Sequence, residues 1–70
     1  PVDLARRIRA SREAKGLTQD AIARAFGIRR NAVTSWELGI ARPSKAKLPK
    51  LADILDVEVE WLSGTPFKRR

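Results

Sequence analysis

The stretch FGIRRNAVTSWELG, Phe26 to Gly39, sets a glycine, two arginines and an asparagine directly ahead of a segment that carries a tryptophan. At helical spacing Val33 and Trp36 fall on one side, while Arg30, Asn31, Thr34 and Ser35 fall on the other. Gly27 and Gly39 bracket the segment, so a short helix is expected with an apolar anchor on one face and hydrogen-bonding side chains on the opposite one. Just upstream, Thr18 is an N-cap residue following the hydrophobic Leu17, and Gln19 and Asp20 suit the positive end of a helix. Ala21, Ile22, Ala23 and Phe26 continue that second helix, and Gly27 ends it. Ala23 is small on an inward face, which lets another helix approach closely.

The pattern extends in both directions. A first helix is expected from an Asp3 N-cap to Lys15, stopped by Gly16, with Leu4, Ala5 and Ile8 as its apolar stripe. The next position on that stripe is Arg12, a lone cation where the helix still faces inward. After the Pro-containing loop IARPS, Ile40 to Ser44, a fourth helix follows a Ser44 N-cap and carries Leu48, Leu51, Ala52 and Leu55. Pro49 belongs only in a first turn, so the regular helix is expected to begin near Leu48, with a looser turn over Ser44 to Lys47. A last short helix is expected over Glu58 to Leu62, ended by Gly64. The segment VEVEW, Val57 to Trp61, alternates like a strand, but one isolated strand has no partner here. The expected fold is all-α: a compact bundle of about five short helices over residues 4–64, with a basic tail at 65–70. That tail serves either as a free basic end or as the start of a linker.

Composition narrows the function. A chain of 70 residues is one small domain with a thin core. It has no cysteine and no histidine, which removes disulfides, thiolate metal cages and the commonest general base. No nucleophile–base pair, phosphate loop or metal set is present, so an enzyme is not expected, nor is a cofactor or a small-molecule substrate. No apolar run reaches the roughly 20 residues of a membrane span, and PVDLARRIRA lacks the apolar run of a secretory signal. A cytoplasmic setting fits the absence of disulfides. Fifteen Lys+Arg against eight Asp+Glu give a net charge of +7, which suits a polyanionic partner, nucleic acid first. The charge is also polarised. From Arg24 to Lys50 the only acid is Glu37, whereas Asp53, Asp56, Glu58 and Glu60 form a run with no base among them. That acidic run is expected to be a solvated face rather than a set of paired catalytic carboxylates.

Two helices joined by a short glycine turn, with a small residue at their contact, make a helix-turn-helix, here over residues 19–38. Arg binds guanine O6 and N7 bidentately, Asn binds adenine N6 and N7, and recognition helices reach base edges with their N-terminal residues. Arg30, Asn31, Thr34 and Ser35 are therefore the candidate base readers, and the Thr34 methyl suits a thymine methyl. Trp36 is expected to anchor the helix in the core. Arg12, the lone cation on its stripe, and Glu37, the lone acid in the basic region, are expected to form a partly buried ion pair.

The run LTQDAIARAFGIRRNAVTSWELG, followed by PSKAKLPKLADILDVEVEWLSG, resembles the phage-repressor and Cro type of helix-turn-helix domain, a large bacterial and phage family. Thr18-Gln19, Ala23, Gly27, Val33, Trp36-Glu37, Gly39, Pro43 and the ending Leu51-Ala52-Leu55 to Trp61-Leu62 carry the likeness. The resemblance implies a transcriptional regulator, a repressor or the N-terminal part of one, docking as a two-fold homodimer on a palindromic double-stranded DNA operator. It implies phosphate contacts from Gln19, Arg29, Arg42, Ser44 and Lys45, with Gln19 also bracing a base reader. It likewise implies the Arg12–Glu37 pair. Val59, Glu60 and Trp61 are placed at a dimer contact, with Trp61 also finishing the core. Two positions depart from the family. Arg29 stands where a Ser or Thr cap is usual, and Pro49 sits in the fourth helix. An alternative from another class is a protein-interaction module, such as an antitoxin or controller partner, whose mark would be an exposed apolar patch; Val59, Trp61 and Phe67 are the candidates.

Overall fold

The computed structural model describes residues 4–63. Among these residues five α-helices follow one another: α1 (Leu4–Lys15), α2 (Gln19–Phe26), α3 (Arg30–Leu38), α4 (Leu48–Leu55) and α5 (Val59–Ser63), with one turn of 3-10 helix at Lys45–Lys47 leading into α4. Among the described residues there is no strand, and VEVEW runs into α5 instead. None of these helices is long and apolar enough to cross a membrane. The Asp3 cap, Gly64 and the tail fall outside the described residues.

Local chemistry sets the helix ends. The Thr18 hydroxyl accepts the Ala21 N–H at 3.0 Å and so caps α2. Gly27 ends α2 in the left-handed region, at φ 68°, and the following Ile28 N–H returns to the Ala23 carbonyl at 3.0 Å. A side chain with a Cβ is strained at that φ, so the glycine is what allows the chain to turn between α2 and α3. Arg29 begins α3 in extended geometry with no side-chain cap, as its departure from a Ser or Thr implies. Pro49 lies in the first turn of α4, where its missing N–H costs nothing. Ser44 precedes the 3-10 turn but makes no side-chain cap bond, so the expected Ser44 cap is not formed. The turn is closed instead by the backbone, with the Lys47 N–H donating to the Ser44 carbonyl at 2.9 Å. Asp56 ends α4 at φ 61°, a left-handed position taken here by a residue other than glycine.

Each helix supplies one fully buried apolar side chain: Ile8, Ile22, Val33, Leu51 and Leu62. Each contributes about 1.5–3 kcal/mol by leaving water. α3 packs on both α1 and α2, while α4 and α5 pack on each other and on α1. Ala23, 4% exposed, sits at the interior of this arrangement. Trp36 is buried and meets the edge of Phe26, ring centroids 5.8 Å apart at 86°. Ser11 takes a buried place on α1, its hydroxyl donating back to the carbonyls of Arg7 and Ile8, so the α1 stripe is Leu4, Ile8, Ser11 with Arg12 at its edge. Trp61 does not finish the core. It is 40% exposed, with the Arg7 guanidinium 5.0 Å from its ring centre, and Leu62 takes the inward position of α5.

Candidate nucleic-acid interface

The polar face of α3 is fixed from behind. Val33 and Trp36 lock the helix against the core, and Arg30 and Asn31 then stand in solvent at its N-terminal end. Thr34 and Ser35, one turn further along, are half-buried. Arg29, Arg42, Ser44 and Lys45 are exposed. An exposed guanidinium beside an exposed carboxamide offers a planar donor fork and a donor–acceptor pair, the two groups that match guanine and adenine edges.

Beneath this face runs a chain of hydrogen bonds joining three helices. Arg12 Nε lies 2.5 Å from Glu37 Oε2, and Arg12 Nη2 lies 3.1 Å from Glu37 Oε1. The same guanidinium donates to the Leu17 carbonyl at 2.9 Å, tying α1 to the start of α2. The Glu37 side chain is 4% exposed and that of Arg12 14%. The hydrogen bond from Glu37 raises the Arg12 pKa above its ordinary value, against an opposing effect of burial, so the guanidinium stays charged. Gln19 donates its amide N–H to Glu37 Oε1 at 3.0 Å and accepts the Thr34 hydroxyl at 2.7 Å. Gln19 is thus held between α2 and α3 rather than free in solvent. A shallow groove opens here, lined by Arg9, Arg12, Gln19, Thr34, Glu37 and Leu38.

The match to known families extends over most of this architecture. A family model described as helix-turn-helix matches residues 8–62. The chain belongs to the helix-turn-helix family. Within the matched span, α2 and α3 are joined through the Gly27 turn and pack on each other. Three bacterial proteins are similar. An uncharacterized HTH-type transcriptional regulator of Bacillus subtilis, YazB, is 40% identical over 58 residues, covering 83% of this chain and 84% of YazB. A second from the same organism, YqaE, is 38% identical over 55 residues, covering 79% of this chain and 47% of YqaE. An uncharacterized HTH-type transcriptional regulator of Haemophilus influenzae is 39% identical over 46 residues, which is 66% of this chain and 19% of that protein. The chain therefore spans most of one relative and less than half of the other two.

Several features of this surface leave no mark in the sequence. The Gln19–Thr34 hydrogen bond joins residues on different helices, and neither residue type announces its partner. Lys50 reaches from α4 to the Ala25 carbonyl at 2.8 Å and lies 5.2 Å from the Phe26 ring centre, pinning the end of α2. Leu38 and Ile40 are 65% and 75% exposed at the end of α3, the most exposed large apolar residues among those described. Of the expected apolar candidates, Trp61 is 40% exposed, Val59 packs against the core, and Phe67 lies outside the described residues.

Proposed function

We propose that this chain is a sequence-specific double-stranded DNA-binding transcriptional regulator, a repressor or the DNA-binding part of one, acting in the cytoplasm. The observation that carries this is the exposed Arg30–Asn31 pair at the N-terminal end of a helix whose opposite side is locked into the core by Val33 and Trp36. Family membership and the names of the similar proteins support the same reading. In it, α3 enters the major groove, with Arg30, Asn31, Thr34 and Ser35 toward base edges. Gln19, Arg29, Arg42, Ser44 and Lys45 meet the phosphate backbone and supply salt-sensitive affinity. Two copies dock as a two-fold dimer on a palindromic operator, with Val59, Glu60 and Trp61 at or near the subunit contact. Their half-sites lie about 34 Å apart, one helical turn of DNA. Residues 4–64 make the DNA-binding domain, and 65–70 a basic extension.

Selection from random duplex DNA tests this. Palindromic winners, bound with an affinity that falls steeply with salt, are expected. A pool that never enriches, together with capture of a protein partner at low salt, favours the interaction-module alternative instead.

A further inference from the structure

The hydrogen bonds behind α3 have a fixed sense, and that sense reaches the surface. A guanidinium only donates, so the Arg12–Glu37 contact presents Glu37 as a carboxylate that only accepts. The Gln19 group facing Glu37 must then be its amide nitrogen, because an amide oxygen there would meet another acceptor. That orientation turns Gln19 Oε1 toward Thr34, and an amide oxygen only accepts. The Thr34 hydroxyl must therefore give it its single proton. What remains on that hydroxyl is lone pairs. Thr34 is half-exposed, lines the shallow groove, and lies four residues after Arg30 and three after Asn31, on the same face of α3.

We infer that Thr34 is a specificity residue of fixed polarity, able to accept but not donate at the DNA surface, and that it selects a base presenting an exocyclic amine, adenine N6 or cytosine N4. A free threonine hydroxyl discriminates poorly because it rotates to suit donor or acceptor. Here the Arg12–Glu37–Gln19 chain removes that freedom. The inference rests on the DNA-binding reading above and adds the functional group that one position recognises.

The test is a pair of selections from random duplexes, with the wild type and with Thr34→Val, followed by binding to the wild-type winner. At the base pair whose preference Thr34→Val relaxes, the amine is deleted by placing purine for adenine or 2-pyrimidinone for cytosine. Amine deletion is expected to weaken the wild type about threefold to tenfold more than Thr34→Val, the worth of one hydrogen bond. Thr34→Ser, which keeps the hydroxyl, should retain the dependence. Gln19→Ala, which frees the proton, should relax it while weakening all sequences. These two variants carry the test if Thr34→Val fails to fold by circular dichroism. Equal losses for wild type and Thr34→Val, the same winner from both selections, or an unchanged amine dependence in Gln19→Ala would each overturn the inference. Failure of the underlying reading looks different: the wild type itself then enriches no sequence.

Discussion

At the scale of single residues, Glu37 is the hinge of the surface. Its side chain, 4% exposed, receives Arg12 and Gln19, so its removal strands a largely buried guanidinium. Glu37→Ala is expected to cost about 3 kcal/mol, seen as a lower urea midpoint at unchanged slope. The double change Arg12→Met with Glu37→Leu is expected to cost much less than the two single changes added together, because neither charge is left unpaired. This pair could be anticipated because each member was out of place in its own segment, a cation on an apolar stripe and an acid in a basic run. Thr34 and Gln19 could not. Polar residues on a polar face are ordinary there, and only the folded geometry shows them 2.7 Å apart.

At the scale of elements, the helix ends explain both what sequence could say and where it stopped. α2 was legible from Thr18 and Gly27, since both act through their own backbone neighbours. The start of α4 was legible from Pro49, which cannot sit deeper in a helix. The sequence pattern puts the start of α5 at Glu58, one residue before its observed start at Val59, since apolar residues on a helix this short fix its position only loosely. Hydrophobicity marks Trp61 as core, but the inward direction of α5 belongs to Leu62. Two caps offer predictions. Asp56→Gly relieves a left-handed φ of 61° and should raise stability by about 1 kcal/mol, because the ion pair it gives up, Lys15–Asp56 at 3.6 Å, is exposed. Arg29→Ser supplies the missing cap of α3 and should also add about 1 kcal/mol in thermal unfolding. The same change should weaken DNA binding and flatten its salt dependence if Arg29 holds a phosphate.

At the scale of the whole molecule, the five short helices of the described residues share one thin core, and none is long enough to be stable alone. Leu62→Ala, at the last helix, is expected to cost about 2–5 kcal/mol, enough to unfold much of a marginal domain, as read by denaturant titration. That core serves the surface by holding α3 with its polar face outward, within a chain of net charge +7. The central claim is that this face recognises sequence. The most direct measurement compares the affinity of Arg30→Ala and of Asn31→Ala for the selected operator with their affinity for random DNA at fixed salt. A loss of about 1–3 kcal/mol on the operator, with little change on random DNA and relaxed preference at one base pair for each variant, is the predicted result. Operator-to-random ratios equal to the wild type in both variants would contradict it.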